Sequence, residues 1–545
     1  MSNYDKSMAL TGQPPVALSK NQKLATLLGA FGFIVILLAG FNVDFPNKGL
    51  WLSIALGALS TGIIWFSWDL YANKAPGIKN DGVWFKSISS TGLWGWVAGI
   101  AMTSFYIILY FFPAYLGLVQ NGDNKGVIAL FDPLSRLLSG NPASQWFVYG
   151  TLYTVAILAF GIKFMWKYRH NRYERVRTVS VMFFQTAFAF IIPEVMSRLN
   201  GSAVLDNGKL PYYDLKNMWP LNYGNFESYR IKDFLTSGNI GLALLVFGVL
   251  TIFVISPILT YKYGKRWYCS WVCGCGGLAE TAGDSFRQLS DKKVSAWKVE
   301  RWVIHSVVVF VTLMTIAVIS SYLKAGGYWI AVDGEKQFVP YWLSQEAFLI
   351  GVFAILTLVF GWVMLFKRKE LKKDAQYGAI GYFVVIMALI GFYFFSGEGN
   401  ILLFKTATVK KTYGFLIGSI FSGVIGTGFY PLLGNRVWCR FGCPMAAILG
   451  FQQRLFSRFR ITTNGGQCIS CGNCSTYCEM GIDVRAYAQK GENIVRSSCV
   501  GCGVCSAVCP RGVLKLENGP LKNRIDGNQV LLGNDVDLMD LVNQK

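Results

Sequence analysis

"IGLALLVFGVLTIFVISPILTYKYGKRWYCSWVCG", residues 240–274, runs from an uncharged apolar stretch straight into closely spaced cysteines. About 20 such residues are long enough for an α-helix to cross the hydrocarbon core of a bilayer. Lys262, Lys265 and Arg266 follow at once, beside Cys269 and Cys273. A membrane helix that ends in basic residues and thiols is the unit around which the rest of the chain is organised.

The same apolar pattern recurs along the chain. Of 545 residues, 53% are hydrophobic and 15% aromatic, more than a soluble protein of a few domains would carry. Ten membrane helices are predicted: Leu24–Phe41, Leu50–Leu70, Leu93–Leu118, Trp146–Trp166, Val179–Met196, Ile240–Thr260, Trp302–Leu323, Phe348–Phe366, Tyr377–Phe395 and Tyr413–Leu433. The first 23 residues are polar and weakly basic, without the compact pattern of a signal peptide.

The formal net charge of +21 does not point to nucleic acid, because the basic residues bunch in short loops between apolar segments. "KYRHNRYERVR" (167–177) follows the fourth helix, a lysine- and arginine-rich loop the sixth, "KRKELKK" the eighth, and Arg436, Arg440, Arg454, Arg458 and Arg460 the tenth. All follow even-numbered helices, so the positive-inside bias places them, and both termini, in the cytoplasm. The expected location is a bacterial inner membrane, with lipid as the constant partner. The longest opposite loop, 197–237, is rich in Tyr, Trp and Pro; it reads as an interfacial anchor or a docking surface for an extracytoplasmic partner.

All 13 cysteines lie between Cys269 and Cys509, in dense clusters. Metal ligands in a reducing compartment look like this, whereas a secreted disulfide framework is spread along the chain. "CISCGNCSTYC" and "CVGCGVCSAVCP" repeat one spacing, Cys468-x2-Cys471-x2-Cys474-x3-Cys478 and Cys499-x2-Cys502-x2-Cys505-x3-Cys509-Pro510. This is the pattern of two-cluster bacterial ferredoxins, in which the fourth cysteine of each run serves the other cluster. It predicts Cys468, Cys471, Cys474 and Cys509 on one [4Fe-4S] cluster, and Cys499, Cys502, Cys505 and Cys478 on a second. Zinc also uses C-x2-C pairs, but eight cysteines in this doubled order match the cluster pattern throughout. Gly472, Gly501 and Gly503 would let backbone N–H groups approach the sulfides, and Glu479 stands where the second run has Pro510.

"GKRWYCSWVCG" aligns with "GNRVWCRFGCP" at 434–444, 170 residues on. Each follows a membrane helix with a proline near its end, so Cys269 and Cys273 are expected to face Cys439 and Cys443 in one four-thiol site, as repeats in membrane proteins commonly surround a shared site. A further iron–sulfur cluster, a structural zinc and redox-active thiols are all open fillings. Cys275 is an extra thiol of the first repeat, an alternative ligand.

This combination resembles the NosR/NapH family of membrane polyferredoxins, from the sixth helix to about residue 516. The resemblance implies electron transfer linked to quinol oxidation or to a periplasmic reductase. Three features differ from that family: five helices precede the core, no flavin-attachment motif is present, and the tail after Gly519 is short and polar.

Other residues are weaker candidates. His305, one turn inside the seventh helix, and Glu194, near the outer end of the fifth, are candidates for a proton relay or quinone contact, since ionisable groups in membrane segments are costly. His170, in a basic loop, would serve as a cap or contact lipid phosphate. Arg440, Arg454, Arg458 and Arg460 would hold the ferredoxin module against anionic headgroups or serve as topology anchors.

The expected fold is mainly α, a polytopic bundle of about ten helices with a small C-terminal two-cluster α+β domain. Its parts are a cytoplasmic segment (1–23), a five-helix region with the outer loop (24–237), a five-helix core with the cysteine repeats (238–460), the ferredoxin-type domain (461–519) and a polar tail (520–545). The expected function is membrane-bound iron–sulfur electron transfer between the two-cluster module and the quinone pool or a respiratory partner, as a subunit of a quinol-linked oxidoreductase. Two rivals are an assembly factor supplying electrons or metal to a respiratory oxidase or reductase, and a scaffold subunit of a larger respiratory complex.

Overall fold

The computed structural model describes residues 18–72, 92–119, 122–201, 218–332, 335–371, 373–396, 405–464, 467–519, 531–532 and 536–537. Most of the N-terminal segment, the stretch 202–217 of the outer loop with "KLPYYDLKN", and most of the polar tail lie outside the described residues.

Among the described residues, nine helices are long and apolar enough to cross a membrane: α1 (Lys20–Gly40), α2 (Lys48–Tyr71), α3 (Leu93–Phe111), α4 (Gln145–Lys167), α5 (Arg172–Leu199), α6 (Gly238–Tyr263), α7 (Val294–Leu323), α8 (Gln345–Phe366) and α9 (Ala375–Phe392). They fall on the first nine predicted helices. The tenth takes another form. Its helix begins at Thr406, widens into a π-type stretch over Gly414–Ile425, and breaks at 426–429 before a last turn, Tyr430–Leu433. Lys410 and Lys411 occupy its first turns, and glycines weaken the rest. Those glycines let α3 come close: a Cβ at Gly423 would sit 2.9 Å from the Tyr110 ring, and one at Gly428 2.7 Å from Thr103 Oγ1. Small residues at membrane-helix contacts commonly serve this purpose.

The two central posts are α4 and α7. Over the most apolar part of each, 56% and 44% of residues are buried, against 11% in α5, α8 and α9, whose sides are left for lipid. The internal repeat extends into the bundle. The π-type turn in α6 ends at Ile255 and its counterpart at Ile425. Both segments then turn on a glycine of positive φ, Gly264 (69°) and Gly434 (94°), a conformation that an L side chain resists.

Several helix ends meet at one pole. Arg169 Nη1 donates to the Tyr71 carbonyl at 2.7 Å, joining α2 to the α4–α5 loop. Tyr173 Oη, at the start of α5, donates to the Gly501 carbonyl at 2.8 Å. The ring of Trp362 in α8 packs 5.2 Å from Phe456. The basic loops therefore share one end of the bundle, and the ferredoxin module is seated there. The other pole carries a hairpin of β1 (Gly327–Val332) and β2 (Glu335–Pro340), paired antiparallel with Trp329 opposite Phe338. There Trp219 Nε1 donates to Thr315 Oγ1 at 3.0 Å, and Lys410 pairs with Glu227 at 2.5 Å.

Candidate metal centres

The module begins with β3 (Phe459–Thr463), paired antiparallel with β4 (Leu514–Asn518). Between them the two cysteine runs fold alike, 31 residues apart. Each starts a short helix, Asn473–Thr476 or Val504–Ala507, from a glycine of positive φ, Gly472 (78°) and Gly503 (88°). Gly481 and Gly512 match in the same way (63° and 62°), and Ser470 (58°) matches Gly501 (66°).

This doubled backbone makes two cavities of similar size, about 360 and 370 Å³ with the space at their mouths. Cys468, Cys471, Cys474 and Cys509 line the first. Cys499, Cys502, Cys505 and Cys478 line the second. In each, three thiols come from one run and the fourth from the other. A backbone N–H reaches one of the sulfurs, Ile482 N–H donating to Cys478 Sγ at 3.4 Å. Burial pushes the thiols up, Cys474 to about 12 and Cys499 to about 11. These groups are therefore neutral without metal, and metal binding must release their protons.

The four repeat thiols also come together. Cys269, Cys273, Cys439 and Cys443 are all buried in one core cluster, and burial pushes the Cys443 thiol well up. Burial pushes Cys269 up to about 12, with Lys265 opposing. Arg436 Nη1 donates to Cys439 Sγ at 3.5 Å and to the Cys269 carbonyl at 3.3 Å, while Ala446 N–H donates to Cys443 Sγ at 3.4 Å. Cys275 lies within electrostatic reach of a buried tyrosine group, Tyr106, Tyr149, Tyr153 and Tyr430. Among the described residues, no three Cys, His, Asp or Glu side chains converge closely enough to hold a single metal ion. Each of the two cavities offers four cysteines, the donor number of a [4Fe-4S] cluster.

A lattice of buried charges lies between the module and the bundle. Glu479, next to Cys478, accepts from Arg287 Nη1 at 2.8 Å and faces Arg436 Nε at 3.1 Å. Arg287 Nε also pairs with Asp284 at 2.8 Å, and Asp284 with Lys167 of α4 at 2.7 Å and Lys163 at 3.9 Å. Arg436 reaches Glu280, which pairs with Arg177 of α5, which pairs in turn with Glu174. Five cations thus face four carboxylates, all almost fully buried. Burial raises the carboxyls of Asp284 and Glu479, but their cations outweigh it and hold both below the usual range. Sequence reasoning missed this lattice. The signals that pointed to it were acidic residues inside a basic loop, "AETAGD", and Glu479 where the second run has proline.

Other candidates sit apart from the thiols or differently from expectation. Glu194 is 22 residues into α5 from Arg172, about 33 Å along the helix from the end that meets the module. His305 Nδ1 bonds the Arg301 carbonyl of its own helix at 2.5 Å. His170 Nε2 lies 3.2 Å from the Ala507 carbonyl of the module. Of the four arginines expected at headgroups or as topology anchors, Arg440 and Arg460 are buried, whereas Arg454 and Arg458 stay exposed. Arg440 Nε pairs with Glu300 at 2.7 Å, Arg454 Nη1 donates to the Val495 carbonyl at 2.5 Å, Arg458 lies over the Tyr261 ring, and Arg460 is buried.

Residues 460–510 match the family model of a 4Fe-4S dicluster domain. Residues 245–295 and 414–462, each containing one thiol repeat, match a 4Fe-4S binding domain. The chain is 25% identical over 236 residues to YccM of Escherichia coli strain K12, named as an electron transport protein. That similarity covers 43% of this chain and 46% of the relative, so the chain spans about half the length of the curated relative it matches. No solved structure matches. Iron–sulfur electron transfer is the class of function these similarities support, in a helical chain with nine candidate membrane spans among its described residues.

Proposed function

We propose that this chain is a membrane-bound iron–sulfur protein that passes single electrons between a cytoplasmic two-[4Fe-4S] module and the quinone pool or a respiratory partner in the membrane. The observation that carries this is the pair of four-cysteine cavities, each lined crosswise by three thiols of one run and one of the other. [4Fe-4S] clusters bound there supply reversible one-electron storage, at potentials set by hydrogen bonds, charge and exposure.

The protein's own part is to hold and tune. Cys468, Cys471, Cys474 and Cys509 hold the first centre, and Cys499, Cys502, Cys505 and Cys478 the second. Cys269, Cys273, Cys439 and Cys443 would hold a third at the end of the bundle; their place inside the matched 4Fe-4S binding segments favours iron–sulfur over zinc. Arg436 lies within electrostatic reach of both Cys439 and Cys502, and Lys265 of both Cys269 and Cys499. These two buried cations offset the negative charge that thiolate ligation brings between the second and third sites. The basic loops gathered at the module's pole support a cytoplasmic position for it.

Metal and sulfide analysis with EPR, on protein purified without oxygen, tests this reading. About eight irons are expected from the two cavities, and about twelve if the repeat thiols hold a third cluster. Protein free of iron after such handling would overturn the reading.

A further inference from the structure

The two cavities differ in what surrounds them. Among the residues lining the second, none is exposed; Tyr173, Glu174 and Arg266 of the bundle press against Gly501 and Gly503. The first is rimmed by exposed side chains. Ile469, Ser470, Arg485, Pro510 and Arg511 all line it and are all exposed, Ile469 by 55%. Ile469 and Pro510 form a small apolar face beside Cys468, Cys471 and Cys509. Arg485 and Arg511 stand at its edge, and Lys490 ends the same short helix as Arg485, also exposed. Among the described residues, neither guanidinium has a carboxylate within ion-pair distance.

We propose that this rim is the docking surface for a soluble, acidic one-electron carrier protein. The inference rests on the two-cluster reading above and adds the partner. An apolar centre ringed by unpaired charge is the make-up of a recognition patch, and electron-transfer encounters use small interfaces. A rim of one sign steers a partner of the other and speeds its arrival. Carboxylates around the carrier's own redox group would meet Arg485 and Arg511, with Ile469 and Pro510 excluding water between the two centres. The exchange is one electron, lost by one centre and gained by the other, with no bond or proton moved. Among the described residues, those lining the second cavity present no exposed side chain of this kind.

The test measures binding as well as electron exchange, using the anaerobically purified full chain in nanodiscs. An acidic plant-type [2Fe-2S] ferredoxin serves as the probe carrier. Its affinity should fall about tenfold or more between low salt and 0.5 M salt, as screening predicts. The double charge reversal Arg485→Glu/Arg511→Glu should weaken it about as much at low salt, and should strengthen binding of a basic cytochrome c. The rate of electron exchange with pre-reduced ferredoxin should fall in parallel, compared with reduction by dithionite in the same sample. Salt-independent affinity in the unaltered chain, or a variant that binds like it, overturns the proposal. Binding in zwitterionic but not in anionic nanodiscs would mean that the rim faces lipid, and overturns it equally. Protein without dithionite-reducible iron overturns the two-cluster reading itself; protein with full iron that ignores the carrier overturns only the docking surface.

Discussion

The two cysteine runs share one spacing and one backbone, yet the residues that line their cavities differ in exposure. At the first, Ser470 holds a positive φ in open solvent and Arg511 follows Pro510 out to the surface. At the second, Gly501 holds the same conformation where a Cβ would meet Arg266 at 2.7 Å, and Glu479 turns into the ion lattice. A local motif fixes which atoms can bind a cluster. Whether that centre meets solution or membrane is decided by residues between and beside the cysteines.

The largest expected difference concerns Glu479. Glu479→Ala leaves Arg287 and Arg436 facing each other in a buried site, and breaking such a pair costs about 3–5 kcal/mol. Thermal unfolding should show that loss, with iron leaving the second cavity first. Arg485→Gln, the matching change at the exposed cavity, should shift stability by less than about 0.5 kcal/mol. Equal effects would mean that the two cavities are not distinguished by their anchoring.

Acid should sharpen the contrast. Glu479 and Asp284 are held below the ordinary carboxylate range in the folded chain. Their contribution is complete above about pH 4, where the unfolded carboxyls ionise, and is lost as pH falls through the lower folded values. The module's attachment, followed by limited proteolysis, should therefore hold steady from pH 8 to 5 and weaken below about 4. Glu479→Gln should remove much of that acid sensitivity.

The smallest differences lie in the paired left-handed positions. Gly501→Ala should destabilise by about 1–2 kcal/mol from its backbone alone, and by more because Arg266 and the Phe459 ring fill the space. Ser470→Gly should stabilise by up to about 1 kcal/mol, since glycine holds that conformation without strain. Differential scanning calorimetry on the two variants separates these signs.

The helices and the cysteine runs announce themselves locally, through about 20 apolar residues in a row and thiols two or three positions apart. The tenth helix hid its break because an apolar count ignores what five glycines do to a helix packed against α3. The ion lattice was illegible for another reason. Lys167 and Asp284 are 117 residues apart, and Arg287 and Glu479 are 192 apart. Seen singly, each cation looks like an ordinary basic-loop anchor. Arg440 misled in the same way, because Glu300, which pairs with it, is 140 residues away.

The most direct test is EPR power saturation of the reduced chain with a water-soluble paramagnetic relaxant, repeated on Cys509→Ser. One cluster signal, from the cavity open to solvent, should be strongly relaxed and the other hardly affected. Cys509→Ser should abolish the relaxed signal and spare the protected one, although Cys509 belongs to the run that supplies most of the protected site. Survival of the relaxant-sensitive signal in that variant would contradict both the crosswise cavities and their unequal exposure.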